Sequence, residues 1–289
     1  MEKAIRKLNT HTVLLLLLLC LPFSAISQTY NFNHYSLKDG LIQSNVNDIL
    51  QDKEGFMWFA TDGGLSKFNG QKFINYSTND GLSEAPVNTI CEDNEGKLWI
   101  GHSYGKISIY DGKTFQNFSV DSNVKASRIC DIVNDKKGNI WIGTVGSSAI
   151  KLNTKTKEYK AYTLNEKLDD KVFSIYIDHN NKVWFVTEIG IKYYDEGKQD
   201  FTFFKPKGLP FFDYTCMTQD LEGNYFFGTA NQGVVKYIIK DSASTQYSLA
   251  QGLKSNFITA LIPSENNSIW VATWQGGISK IQGKNIISI

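Results

Sequence analysis

The strongest constraint on this chain is a phrase it says several times. "GFMWFATDGGLSKFNG" occupies residues 55–70 and "GKLWIGHSYGKISIYDG" occupies 96–112. A bulky aromatic anchors each copy, at Trp58, Trp99, Trp141, Trp184, Phe226 and Trp270, with spacings of 41, 42, 43, 42 and 44 residues. The fifth copy reads "NYFFGT", so Phe226 stands where the others carry tryptophan. A fixed period of this length marks a structural unit that cannot bury its own apolar faces and needs neighbours to cover them.

Each copy has four short runs. An alternating run such as "VNDILQD" (46–52) comes first, then a turn of the form D-x-x-G: "DKEG", "DNEG", "DKKG" and "DLEG", with "DHNN" in the fourth copy. The anchor run follows, as in "FMWFAT", "NIWIGT" or "SIWVAT"; a glycine turn leads to a third run such as "ISIYDG", and a fourth run such as "KFINYS" or "EYKAYT" closes the unit. Runs of four to seven β-branched and aromatic residues split by Gly, Asn and Asp are strands in hairpins. Asn69-Gly70 and Asp111-Gly112 are expected to turn at positive φ. No stretch after residue 27 sustains a 3.6-residue period, so the fold class is all-β.

Four antiparallel strands per unit of about 42 residues predict a β-propeller of four-stranded blades. The six anchors are expected on the second strand of each blade, filling the space between blades. The repeats run roughly 30–77, 78–119, 120–163, 164–204, 205–248 and 249–289, and the propeller as a whole 28–289. A parallel β-helix has shorter coils without these hairpins. A WD-type propeller carries Trp-Asp and Gly-His signatures that this chain does not have. The run "YNFNHYS" (30–36) reads as a fourth strand standing ahead of the first repeat, able to pair with a last blade.

Residues 1–27 differ from the rest. Lys3, Arg6 and Lys7 precede the apolar run "VLLLLLLCLPF" (13–23), and Ala25 and Ser27 are small. This is the pattern of a signal peptide cleaved near Ser27-Gln28, which predicts a periplasmic or secreted chain. An uncleaved anchor is the alternative, though the run is shorter than the roughly 20 residues a span needs. A lipoprotein reading at Cys20 is opposed by the large Leu19. Losing Lys3, Arg6, Lys7 and Glu2 takes the net charge from +1 to −1. That balance offers nothing to nucleic acid. Cys91, Cys130 and Cys216 lie far apart in apolar runs and are expected as buried thiols, with one disulfide plus a free thiol as the alternative.

The pattern "DGL…NxVNDI…DxxGxxWIGTxGGLxxY/F-D/N-GxxF" resembles the two-component regulator propeller repeat, found in the periplasmic sensor region of Bacteroidetes-type hybrid sensor histidine kinases. The resemblance covers residues 30–289; the first two copies carry it best, as residues 38–77 show, and the "DGL" box drifts to "DSN" (121–123), "EKL" (166–168) and "KGL" (207–209) and partly returns as "QGL" (251–253). It implies propellers of about seven blades followed by a membrane helix and a kinase. Six repeats then imply an incomplete seven-bladed ring, from a truncated gene, a fragment or an open arc.

No catalytic or metal constellation stands out. His34, His102 and His179 come from different copies and different positions, and the D-x-x-G turns lack the carboxylate ladder of a calcium loop. Asp169-Asp170 reads as an exposed loop, and Asn45, Asn88 and Asn256 as turn formers. Departures from the repeat are where binding specificity is expected. "GLPFFDYTC" (208–216) places Phe211, Phe212 and Tyr214 where other copies are polar, and Trp274 replaces Asp62, Ser103, Val145, Glu188 or Ala230. Aromatic faces stack on sugars, so these four are the candidate ligand-binding residues, with core packing as the alternative role. The expected function is non-catalytic recognition, with no cofactor. The resemblance implies a glycan or oligosaccharide ligand and a dimer, or further propeller repeats, that couples to a kinase. The rivals are a propeller enzyme (a lyase or glycoside-active protein) and a protein-interaction scaffold. The streptogramin lyases, propellers with similar repeats, are built around a histidine and a divalent metal.

Overall fold

The computed structural model describes residues 32–118, 128–146, 148–164 and 171–289. The segment expected to be a signal peptide, with its Ser27-Gln28 junction, Cys20, the "DSN" and "EKL" boxes and Asp169-Asp170 lie outside the described residues. The chain divides into Met1–His34 and Tyr35–Ile289, and the second unit is an all-β propeller of six four-stranded antiparallel sheets.

Blade 1 is β1 (Val46–Gln51), β2 (Met57–Thr61), β3 (Gly64–Phe68) and β4 (Phe73–Tyr76); blade 2 is β5 (Val87–Glu92), β6 (Leu98–His102), β7 (Ile107–Tyr110) and β8 (Phe115–Phe118). Blade 3 is β9 (Ile129–Asn134), β10 (Asn139–Thr144), β11 (Ser148–Asn153) and β12 (Tyr159–Thr163); blade 4 is β13 (Val172–Ile177), β14 (Val183–Thr187), β15 (Gly190–Asp195) and β16 (Asp200–Phe203). Blade 5 is β17 (Tyr214–Gln219), β18 (Tyr225–Thr229), β19 (Val234–Ile238) and β20 (Ala243–Tyr247); blade 6 is β21 (Ile258–Ser264), β22 (Ser268–Thr273), β23 (Gly277–Gln282) and β24 (Asn285–Ser288). The strand order within each sheet is the chain order.

The first strands form the hub, because they are the strands that meet between blades: β1 packs on β5, β5 on β9, β9 on β13, β13 on β17 and β17 on β21. β21 and β1 do not pack on each other in that way. Each first strand has an irregularity at its second residue. A bulge there re-aims the side chain away from its own ladder. Asn47, Asn88 and Thr215 use this to donate to the carbonyls of Val87, Ile129 and Ile258 at the head of the next first strand, at 2.9, 2.9 and 2.7 Å. Asn88 is therefore a bulge residue locking two blades together and not a turn former.

Five apolar clusters fill the five junctions between successive blades, and each draws on both neighbours: Trp58 with Val87 and Ile90, Trp99 with Ile129 and Ile132, Trp141 with Val172 and Ile175, Trp184 with Tyr214 and Met217, Phe226 with Ile258 and Leu261. The four tryptophans here are nearly or fully buried, so their indole N–H needs an acceptor. The aspartate that opens the D-x-x-G turn supplies it: Asp52, Asp93, Asp135 and Asp178 accept from Trp58, Trp99, Trp141 and Trp184 at 2.7 to 2.9 Å. The other carboxylate oxygen accepts turn amides, as Asp93 does from Glu95 and Lys97. Phe226 has no such proton, and in blade 5 the Lys236 ammonium takes the place, 2.9 Å from Asp220.

Local turns follow the sequence closely. Gly55, Gly96, Gly138 and Gly223 close the D-x-x-G turns at positive φ, and Asn181 takes the same conformation in "DHNN" (φ 61°). At Asn69-Gly70 and Asp111-Gly112 only the glycine turns positive, at φ 92° and 93°. Asn69 and Asp111 instead accept backbone amides through their side-chain oxygens. Ser36–Gly40, Ser77–Gly81 and Ser248–Gly252 are the same capped 3₁₀ turn, in which a serine hydroxyl and an acidic or amide side chain three residues on cap each other.

Cys91, Cys130 and Cys216 are unpaired thiols. Burial pushes all three pKa values up, to about 12 for Cys91 and about 11 for the other two, so none is a thiolate at neutral pH.

Candidate functional site

Each first strand starts, and each second strand ends, on one face of the propeller. The loops there carry the departures from the repeat. In blade 5 the loop entering β17 contains two prolines and two phenylalanines, "PKGLPFFD" (206–213). Proline fixes φ and removes an amide, so this loop holds its side chains in place without a strand ladder.

The loop covers a cavity of about 250 Å³ lined by Ile189 and Gly190 of the blade 4 turn, by Phe203, Phe204 and Lys205 after β16, and by Pro210, Phe211 and Tyr214. Its three predicted aromatics have three different fates. Phe211 is 74% exposed and stands over the cavity as a free ring face. Phe212 is half-buried against the cluster between blades 4 and 5. Tyr214 is not a loop residue: it opens β17, lies within that cluster, and donates its hydroxyl to the Pro210 carbonyl. Burial pushes the Tyr214 pKa up. Among the three, Phe211 is the one free to meet a ligand, and Tyr214 is the floor beneath it. Two cations flank Phe203, and one of them, Lys205, lines the cavity. The ammonium groups of Lys192 and Lys205 lie 4.3 and 4.5 Å from the Phe203 ring centre. Lys192 also donates to the Leu164 carbonyl, while Lys205 is exposed.

Trp274 is on the same face in the next blade. It is 59% exposed, its ring centre is 6.2 Å from that of Phe257, and its amide donates to the Phe257 carbonyl. Phe257 and, in the corresponding turn of blade 2, the exposed Tyr104 were missed in the sequence. Both occupy positions where the repeat is polar or variable, the signal that singled out Trp274. Among the described residues no ring contact joins Phe211 to Trp274, so the structure presents two aromatic stations and not one cluster.

Two larger cavities, of about 390 and 370 Å³, lie on the opposite face beside Trp141 and Trp58. They are bordered by the repeated turn aspartates Asp135 and Asp52 and by charged turn residues. Their recurrence at two junctions marks them as products of the repeat. The cavity under Phe211 combines repeat positions such as Gly190, Ile191 and Leu209 with Pro210 and Phe211, which depart from the repeat.

The histidines do not assemble with it. His102 is buried at the end of β6, held between the Pro86 carbonyl (3.2 Å) and the Ser108 hydroxyl (2.8 Å), and desolvation lowers its pKa. The other copies have threonine there, and Thr61, Thr187, Thr229 and Thr273 bond a nearby glycine carbonyl. His179 sits in the turn between β13 and β14, on the opposite face. Among the described residues no three His, Cys, Asp or Glu side chains are gathered to hold a metal.

The family model described as two component regulator propeller matches residues 40–63, 81–104, 123–146 and 252–275. Four of the chain's six repeats match the two-component regulator propeller model. Each matched segment runs from the glycine-leucine turn or its equivalent, through the first strand and the anchor tryptophan, to the turn after the second strand; three of the four carry the Asp–Trp pair, and 252–275 has Ser264 in place of the aspartate. Blades 4 and 5, which hold the cavity, lie outside the matched segments. A 68-residue stretch is 38% identical to "Histidine kinase P4" of Formosa agariphila; it is 24% of this chain and 5% of that protein. The extracellular domain of a putative hybrid two-component system of B. thetaiotaomicron superimposes with a TM-score of 0.74 at 21% identity, over 89% of this chain and 36% of that one. Virginiamycin B lyase of Staphylococcus aureus superimposes with a TM-score of 0.69 at 17% identity, over 85% and 84% of the two chains. At these identities both likenesses are of fold. The chain spans 5% of the kinase and about a third of the sensor domain it matches.

Proposed function

We propose that this propeller is an extracytoplasmic recognition module of the two-component sensor type, and that it takes a saccharide at the cavity under Phe211. The observation that carries the reading is the exposed Phe211 ring over an apolar cavity, in a loop that departs from the repeat. A ring face of this kind stacks on the C–H face of a pyranose. Lys205 at the rim favours a sugar that bears a carboxylate or sulfate. The sensor reading is supported by the repeat itself and by the similarity in fold to an extracellular sensor domain. Among the described residues no helix is long and apolar enough to cross a membrane. In this reading, ligand binding alters the packing of propellers in a dimer and so biases a kinase.

The test is calorimetric titration with a panel of neutral and uronic-acid oligosaccharides. Phe211→Ala is expected to weaken binding at least about tenfold while leaving the melting temperature unchanged, as fits an exposed ring. Lys205→Ala is expected to weaken acidic sugars more than neutral ones. If no saccharide binds at millimolar concentration, or if Phe211→Ala leaves binding intact, the assignment of the cavity is wrong.

A further inference from the structure

Successive blades are tied near the hub by hydrogen bonds from the second and third residues of the first strands. Between blades 1 and 2, Asn47 donates to the Val87 carbonyl and Asp48 accepts the Ile90 amide, both at 2.9 Å. Between blades 2 and 3, Asn88 donates to the Ile129 carbonyl at 2.9 Å and Thr89 to Asp131 at 3.4 Å. Between blades 3 and 4 the second residue is Cys130, whose thiol turns back to the Arg128 carbonyl, but Asp131 still accepts the Ile175 amide at 2.7 Å. Between blades 5 and 6, Thr215 donates to the Ile258 carbonyl at 2.7 Å.

Between blades 4 and 5 both positions are lost. The second residue of β13 is Phe173, which has no donor and is 41% exposed. The third is Ser174, whose hydroxyl is buried and has no hydrogen-bond partner. Among the described residues no hydrogen bond joins Val172, Phe173 or Ser174 to blade 5. β13 and β17 also pack less closely than any other two successive first strands. The opposite end of the same junction is tied. Asp178 accepts the Tyr225 hydroxyl at 3.0 Å as well as the Trp184 indole, and the Gln219 side chain accepts the His179 amide at 3.1 Å. The space between is filled by an apolar cluster, whose contacts are non-directional and tolerate sliding. Met217 stands in that cluster where the other first strands carry isoleucine or leucine, and its unbranched side chain refits to a shifted neighbour. The cavity under Phe211 opens at the untied end, between Gly190 of blade 4 and Tyr214 of blade 5.

We propose that the junction of blades 4 and 5 is a hinged seam, which pivots where Asp178 and Gln219 tie it and parts at the end where the first strands start as a ligand enters the cavity under Phe211. Its trigger rests on the saccharide reading of that cavity. A ligand lodged between Gly190 and Tyr214 binds the parted state better and so shifts the angle between the two blades. Blades 1–4 and blades 5–6 then move as two groups about one junction, which turns occupancy of a small cavity into a change of shape.

Two native side chains report on the seam. Met217 is buried in this junction and Cys91 in that of blades 2 and 3. Oxidation of Met217 by hydrogen peroxide and alkylation of Cys91 by N-ethylmaleimide are followed by mass spectrometry in the ligand-free chain, each relative to its rate in the urea-unfolded chain. Met217 is expected to be at least about tenfold less protected than Cys91. Phe173→Asn supplies the donor that Asn47 and Asn88 provide elsewhere. Ser174→Asp, the second variant, supplies the acceptor that Asp48 and Asp131 provide. Either lock should slow Met217 oxidation about tenfold, the worth of one net hydrogen bond, and leave Cys91 unchanged. Either should also weaken a bound saccharide about tenfold in calorimetric titration. Phe173→Ala, which removes the ring without adding a donor, should have neither effect. Equal protection of Met217 and Cys91, or oxidation that neither lock slows, overturns the seam whatever the chain binds. Saccharide affinity that both locks leave unchanged overturns the coupling of seam to cavity. A chain that binds no saccharide overturns the reading of the cavity and the trigger with it, while Met217 still decides the seam.

Discussion

Blade 2 and blade 6 have the same four strands and the same capped turn at their entrance, and they hold the same residues in different states. In blade 2, Trp99 is fully buried, its indole N–H bonds Asp93, and Ile90 and Cys91 are both covered. In blade 6, Trp270 is half-buried, Ser264 stands where the turn aspartate would be, and Ile262 and Ile278 face solvent. The hydrogen-bonded ladders within the two blades are alike. The difference teaches that a repeat position has no fixed energetic value: apolar burial is worth what the neighbouring blade covers.

The largest effect that could break this comparison is a buried charge. Ile90→Asp puts a carboxylate into the junction of blades 1 and 2 without a partner, and is expected to cost more than about 4 kcal/mol or to prevent folding. Ile49→Asp, the same substitution at the same repeat position, is expected to change stability by no more than about 0.5 kcal/mol. Urea denaturation of both variants decides the matter. Equal losses would mean that the face of blade 1 is covered in solution.

Removal of the anchors comes next. Trp99→Ala is expected to cost about 3–5 kcal/mol, because it opens a cavity between two blades and leaves an Asp93 oxygen without its donor. Trp270→Ala is expected to cost about 1 kcal/mol, since only one blade covers the ring. A ratio near one would show that packing within a blade, and not between blades, gives the anchor its value.

Much of this fold was legible in the sequence, and for a physical reason. The spacing of the anchors, the D-x-x-G turns and the alternating runs all report local geometry, which six copies state six times. The partner of the indole was not read, although Asp52 and Trp58 are six residues apart in four of the copies; the aspartate looked sufficiently explained by its turn. The bulge that sends Asn47 and Asn88 to the next blade was also hidden, because a bulge leaves the alternation of its strand almost intact. At the site, Phe211, Phe212 and Tyr214 were seen as one aromatic group. Sequence shows that a loop departs from its repeat, but which ring is exposed depends on the strand start at Tyr214 and on the cluster between blades 4 and 5. Those are tertiary facts.

The smallest effect concerns charge at the hub. Asp131 in blade 3 accepts the Ile175 amide at 2.7 Å and the Thr89 hydroxyl at 3.4 Å, with Asp48 of blade 1 nearby. Desolvation, opposed by the amide and assisted by Asp48, pushes its pKa up to about 7; Asp48 is also raised, chiefly by desolvation. A carboxyl whose folded pKa lies above its unfolded one favours the folded state while protonated. That contribution is full below the unfolded value near pH 4 and is lost as pH rises through about 7. Asp131→Asn keeps a neutral acceptor for the Ile175 amide and removes the titration. Its stability relative to the parent should therefore rise between pH 4 and pH 8, by no more than about 2 kcal/mol after discounting for the solvent that reaches the group. Thr89, the residue at this position in blade 2, has no charge to lose, so Thr89→Val should shift stability by the same amount at every pH. Melting curves of the parent and both variants across that range make the comparison. A parallel offset for Asp131→Asn would place the hub carboxylate outside the pH response, and leave its hydrogen bond to Ile175 as the whole of its role.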